Sequence, residues 1–147
     1  MNDYQKHMET DQSAAVVYAA LTEHIQHWWS TDLTGAAAQA GDSFTIGFGE
    51  TRKTFKILEA TPCTRVVWTC TKAYIDLNSL QNKGEWVGTR LVWTLDDRGE
   101  NTTLTFLHEG LSPDLECYTV CEDGWNTFLA SLGDYLATGK GAPFLKV

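Results

Sequence analysis

From Ser43 onwards the chain alternates apolar and polar positions in short blocks divided by turn residues, and only towards its end does the apolar spacing lengthen to three and four residues. Phe44, Ile46 and Phe48 alternate with Ser43, Thr45 and Gly47, a period of two that belongs to a strand with one buried face. Gly49-Glu50 reads as a tight turn, and Phe55 and Ile57 carry the pattern back until Thr61-Pro62, where a residue without an amide hydrogen ends the ladder. Val66, Trp68 and Cys70 repeat the alternation, and so do Leu91, Trp93 and Leu95 on a strand predicted from Trp86 to Leu95. Asp96 to Asn101 is turn chemistry throughout, so Thr102 to Glu109 closes a hairpin in which Leu104, Phe106 and His108 share one face.

Around this five-stranded meander the pattern changes. Tyr4 to Thr10 is a short β-compatible run, and Asp11 is placed to cap a helix over Ser13 to Thr22, where Val16, Val17, Ala20 and Leu21 form one stripe. His24 to Ser30, carrying Ile25, Trp28 and Trp29, predicts a second short helix, and Gly35 to Gly41 a loop. The polar connection from Lys72 to Glu85 is longer than a hairpin turn and is a candidate lid or rim. After Ser112-Pro113 a helix is predicted from about Asp114 or Leu115 to Ala137, ending at Thr138-Gly139. Its stripe runs through Cys117, Val120, Cys121, Trp125, Phe128, Leu132 and Leu136. A meander with one apolar face must cover it, and this helix is the only element large enough. The expected class is therefore α+β: one domain over residues 1–147, its curved antiparallel sheet wrapped around the C-terminal helix.

A chain of 147 residues has the size of one domain with one core. Six Trp, five Tyr and six Phe supply more flat apolar surface than a minimal core needs, which suits a lined cavity or a bulky core equally. Eleven Lys and Arg against nineteen Asp and Glu leave a formal charge of −8, a field that repels phosphate backbones and anionic membranes, so nucleic acid is not an expected partner. No run approaches the ~20 apolar residues of a spanning helix, and MNDYQKHMETDQ has neither a basic start nor an apolar signal core. No membrane insertion and a cytoplasmic location are expected. Cys63, Cys70, Cys117 and Cys121 are expected as reduced, small apolar side chains. Cys117 and Cys121 lie one helical turn apart, but no matching His or Cys pair completes a tetrahedral site, so no metal is expected. Neither a nucleophile elbow nor a phosphate-binding glycine loop is present, and no cofactor is expected.

Several local patterns, taken in order, are similar to those of a known family. They are Ala15-Val16-Val17-Tyr18-Ala19-Ala20-Leu21-Thr22 followed by Trp28-Trp29, the strand from Gly41 to Phe48, and Ile57-Leu58-Glu59-Ala60-Thr61-Pro62 with Arg65-Val66-Val67-Trp68. Thr103 to Gly110, Gly124-Trp125 and Tyr135-Leu136-Ala137-Thr138-Gly139 continue the match. Together they resemble the START-like, helix-grip superfamily, and within it the bacterial proteins related to the activator of the ninety-kilodalton heat-shock protein ATPase. The resemblance covers nearly the whole chain. It implies six antiparallel strands gripping the C-terminal helix, two short helices near the N-terminus, and a cavity between sheet and long helix. Proteins of this fold mostly bind lipids, polyketides, hormones or other apolar small molecules, and a minority are cyclases or related enzymes; the fold alone does not choose among them.

On that fold the inward positions are the candidate ligand contacts. They are Phe44, Ile46, Phe48, Phe55 and Ile57 from the first hairpin, then Trp68, Leu91, Trp93 and Phe106 from the later strands. Trp28, Trp125 and Phe128 join them from the helices. Tyr74, Trp86 and Tyr118 are candidates for the cavity mouth, where amphipathic rings fit, as they also fit under a loop. His108 points by alternation towards the same interior, where its ring needs either a bonded neighbour or a ligand; it is the one candidate for acid–base catalysis. Arg90 falls on the opposite, solvent face, and Asp96-Asp97 and Glu122-Asp123 are expected as surface charge. The expected partner is a small hydrophobic or aromatic molecule, bound by a monomer or homodimer. The alternatives are a cyclase, dehydratase or hydrolase-type cavity enzyme using His108, and a co-chaperone-like protein-interaction module.

Overall fold

In the computed structural model, which describes residues 3–146, the chain runs β1 (Tyr4–Thr10), α1 (Ala14–Thr22), a 3-10 turn (Ile25–His27), β2 (Leu33–Gly35), β3 (Ser43–Phe48), β4 (Thr51–Thr61), β5 (Arg65–Tyr74), β6 (Arg90–Asp97), β7 (Thr102–Glu109) and α2 (Tyr118–Thr138). The strands form one antiparallel sheet in the order β1-β7-β6-β5-β4-β3-β2. The α+β class, the curved sheet and the long C-terminal helix are as the patterning predicts.

Alternation decides which side of the sheet faces the core. Along β7, Thr102, Leu104, Phe106 and His108 are buried while the residues between them are only half-buried. Phe44 and Ile46 on β3, Phe55 and Ile57 on β4, Trp68 and Cys70 on β5, and Leu91, Trp93 and Leu95 on β6 are buried on that same side. The β4–β5 register shifts between Thr54 and Phe55 and again between Ile57 and Glu59. Each such bulge sharpens the local twist, which curls these two long strands around α2. From α2, Trp125, Leu129, Leu132 and Leu136 fill the concavity. Arg90 points outward and pairs with Glu109 at 2.8 Å.

Where the structure departs from expectation, a backbone or cap contact explains it. Among the described residues there are seven strands rather than six, because Leu33–Gly35 adds β2 at the edge; three residues are too few to show a period. Two short N-terminal helices are predicted, but only α1 is an α-helix. After the 3-10 turn, Phe144 N donates to Trp29 O and Thr31 N to Phe144 O, both at 2.9 Å, so the C-terminal tail holds the segment extended. Ser13, not Asp11, caps α1: its hydroxyl accepts from Val16 N at 3.3 Å from an extended backbone. Trp86 does not begin a strand; turns through Gly84 and Gly88, the latter at φ +90°, delay β6 to Arg90. The long helix starts at Tyr118, a few residues late, where Glu85 caps it from outside by accepting from Glu116 N and Cys117 N, each at 3.1 Å.

Gly35 sits at φ +100° directly over β3, where an added Cβ would run into the Ser43 carbonyl oxygen and lie 2.8 Å from Phe44 Cα. Both obstacles are backbone, so nothing can swing aside. Gly35→Ala is expected to lower the unfolding free energy by about 2 kcal/mol or more, measured by urea denaturation. A loss under about 0.5 kcal/mol, the range of neutral surface changes, would show that β2 does not hold this close register. Among the described residues no helix is long and apolar enough to cross a membrane.

Candidate functional site

A cleft of about 170 Å³ opens where β3 and β4 pass the first turns of α2, roofed by the connection between β5 and β6. The sheet contributes Phe48, Thr51 and Lys53. Ile75, Leu77 and Trp86 come from the connection, and Val120, Cys121, Gly124, Trp125 and Phe128 from α2. Trp29 closes the floor, 5.1 Å from the Trp125 ring and 6.0 Å from Phe48, while Trp86 stacks on Trp125 at 5.8 Å and 12°. Gly124 has open space at its Cβ position, which leaves a gap in the helix wall beside Trp125. The volume is below the ~300–1,000 Å³ typical of ligand pockets but of the order of the ~150 Å³ apolar cavities that admit a benzene-sized guest. Two clefts elsewhere, about 290 and 280 Å³, contain a single aromatic side chain between them, Phe44, and no lysine or arginine.

The roof is tied down. Ile75 and Leu80 are buried beneath it, Asp76 N donates to Thr51 Oγ1 at 2.9 Å, and Lys83 Nζ donates to the carbonyls of Leu77 and Leu80 at 2.9 and 2.7 Å. Glu116 accepts from Gln81 N and Asn82 N, while Glu85 reaches back to cap α2. The segment expected as a lid or rim is therefore a rim fastened to the helix by two carboxylates.

Among the described residues Lys53 is the one charged side chain in the wall. Plain alternation from Phe55 and Ile57 turns it inward, and its Nζ lies 3.5 Å from the Trp86 ring centroid and 5.6 Å from that of Phe48, a cation over the negative faces of two rings. Among the described residues it makes neither a hydrogen bond nor an ion pair with any side chain. Burial pushes its ammonium below the usual lysine range, against smaller opposing effects from the thiols of Cys121, Cys70 and Cys117. Cys121 accepts from Trp86 Nε1 at 3.2 Å. The neighbouring Cys117 thiol, then Lys53 and Trp86, draw the Cys121 thiol downward against the opposing effect of burial. The Cys121 thiol beside it and burial push Cys117 upward. All four cysteines are free thiols.

His108 is fully buried, and both its nitrogens are committed. Trp125 Nε1, which can only donate, donates to Nδ1 at 3.0 Å. Nε2 therefore carries the proton and donates to Thr89 Oγ1 at 2.9 Å, and that hydroxyl donates onward to the Trp86 carbonyl at 2.6 Å. Burial first, then Lys53, lowers the pKa of the ring to about 3, so it stays neutral. With both nitrogens engaged, the His108 chain of hydrogen bonds sets the angle of Trp125 and the turn carrying Trp86.

Of the residues predicted as ligand contacts, the structure brings Phe48, Trp86, Trp125 and Phe128 together at the cleft. Trp28, Phe44, Ile46, Phe55 and Ile57 are buried in the core outside the cleft wall, as are Trp68, Leu91, Trp93 and Phe106. They pack ring against ring; Trp68 and Trp93 meet edge-on at 5.4 Å, and their indole nitrogens are the two buried side-chain N or O atoms without a hydrogen-bond partner among the described residues. Tyr74 is exposed, and Tyr118 is half-buried with its hydroxyl on Glu122 at 3.1 Å; neither lines the cleft. The sequence reading missed Trp29, Lys53 and Cys121 as site residues, although alternation marks Lys53 and the helical stripe marks Cys121.

Solved structures with the same architecture are numerous in kind. A dimeric Aha1 from Colwellia psychrerythraea, determined in solution, is 25% identical, with a TM-score of 0.77 over 96% of this chain and 100% of that one. DynU16, a putative protein of the dynemicin biosynthetic locus, is 21% identical with a TM-score of 0.72 over 96% of this chain, which spans only 49% of that one. CalU16 from Micromonospora echinospora is 18% identical with a TM-score of 0.68, over 94% of this chain and 75% of that one. No functionally curated protein matches the chain. Residues 11–137 match the family described as Activator of Hsp90 ATPase homolog 1-like protein; the chain belongs to that family, within the START-like helix-grip superfamily.

Proposed function

We propose that this protein binds a small, predominantly aromatic molecule in the cleft between β3–β4 and the start of α2. The observation that carries the proposal is the cleft itself: about 170 Å³ walled by Trp29, Phe48, Trp86, Trp125 and Phe128. Side chains that could have filled this space instead leave it open beside Gly124. Affinity comes from apolar burial at ~25 cal/mol per Å² and from ring stacking. A guest of one or two fused rings suits the volume, with any longer substituent leaving through the open side.

Both nitrogens of His108 are hydrogen-bonded, to Trp125 and Thr89, which favours binding over an acid–base enzyme built on that ring. The test of binding is thermal. A neutral bicyclic aromatic amide such as 2-naphthamide, at tenfold excess over its Kd, is expected to raise Tm by about 3 to 5 °C. It should also perturb the tryptophan fluorescence, because three of the six tryptophans line the cleft. Absence of any shift at the solubility limit of the amide would sink the reading.

A further inference from the structure

Resting on that reading, we infer that the guest carries one anionic oxygen group, a carboxylate or its equivalent, and that Lys53 is the residue that receives it. The wall of the cleft is aromatic and aliphatic apart from Thr51, Cys121 and Lys53. A lysine in such a wall is normally relieved by a carboxylate, and among the described residues none pairs with it. The side chains that act on its charge are thiols. Glu85 and Glu116 are engaged on backbone amides and Glu122 on the Tyr118 hydroxyl, while Asp76, between the wall residues Ile75 and Leu77, is exposed to solvent and forms no ion pair with Lys53. The ammonium rests on Trp86 at 3.5 Å, which leaves its donors uncommitted. A partly buried cation held by ring faces alone is costly to keep. An incoming anion would relieve that cost and gain a charge-assisted hydrogen bond.

The geometry also limits the partner. Lys53 sits on the sheet wall beside Trp86, while Trp29 forms the floor, so an anionic group on the ring edge reaches Nζ while the ring itself lies against Trp125 and Phe128. An apolar body of one or two rings bearing one acid group satisfies both features. A polyanion does not, since the cleft offers one cation and the chain carries a formal charge of −8.

The test uses two isosteric probes, 2-naphthoate and 2-naphthamide, titrated calorimetrically into wild-type protein and Lys53→Met. Wild type is expected to bind the carboxylate about tenfold more tightly than the amide, and the substitution to bring the two to within about threefold. Lys53→Met is also expected to raise Tm in the absence of any probe, because it removes an uncompensated cation, whereas a lysine needed for the fold would lower it on removal. Equal affinity of wild type for both probes would overturn the anion assignment and leave the aromatic cleft standing. Preference for the carboxylate that survives Lys53→Met would remove Lys53 as its receptor. Failure of both probes to bind wild type would overturn the cleft reading and this inference with it.

Discussion

His108→Ala is expected to lower the unfolding free energy by about 3 kcal/mol at neutral pH, through the lost ring volume and the orphaned Trp125 indole N–H. That cost is expected to shrink in acid. The folded-state pKa of about 3 lies below the ordinary value near ~6.5, so between those two values the unfolded chain binds a proton that the folded chain refuses. Stability from this residue is thus complete above about pH 6.5 and falls as the pH is lowered towards 3, by up to ~1.4 kcal/mol per pH unit. His108→Ala has no such proton to refuse. Carboxylates titrate in both proteins and cancel in the difference. Urea denaturation of wild type and variant at pH 7 and pH 5 should therefore show the gap closing by about 2 kcal/mol. A gap of constant size would mean that His108 protonates freely in the folded state, and that the Trp125–His108–Thr89–Trp86 chain does not hold it neutral.

The same residue shows how far the sequence could be read. Alternation along β7 correctly turns His108 inward with Leu104 and Phe106, because a strand's period fixes the face of every residue once one is known. What alternation cannot give is depth. His108 and Lys53 are both inward polar residues on strands, yet one is sealed behind Trp125 and Trp86 and the other stands in the open cleft. That difference is made by Trp86, whose ring enters the site from a turn and not from a strand, at a position governed by Gly88 and by the Glu85 cap on α2. Contacts between residues 31–35 positions apart, such as Trp86 with Cys121 and Glu85 with Glu116, leave no local pattern. β2 was hidden for a related reason: a three-residue edge strand is defined by its partner, and Gly35 shows its role only beside Ser43. The broad excess of aromatic residues, by contrast, was legible, and so was its ambiguity. Most of the predicted lining became core, and a smaller set surrounds the cleft.

Trp29→Ala puts that division to the test. Trp29 is buried and meets Trp28, Phe48, Phe55, Trp68 and Trp125 at centroid distances of 5.1–6.1 Å, so it forms the partition between the packed core and the cleft. Its loss is expected to cost about 3–5 kcal/mol, since the surrounding rings are held by their own strands and cannot collapse into the space. The vacated volume joins the cleft and remains apolar, a condition under which a cavity stays dry and accepts a matching guest. Indole, the side chain removed, is therefore expected to restore part of the lost stability, raising the Tm of Trp29→Ala by about 3 to 5 °C at tenfold excess over its Kd. The response of wild type at the same indole concentration should be smaller, because its cleft lacks that added space. The contrast with Trp93→Ala is decisive. Trp93 is fully buried and outside the cleft wall, so its variant should be destabilised to a similar degree, but its void has no opening through the cleft and indole should rescue it less. Equal rescue of the two variants, or none of either, would show that Trp29 does not stand between core and cleft.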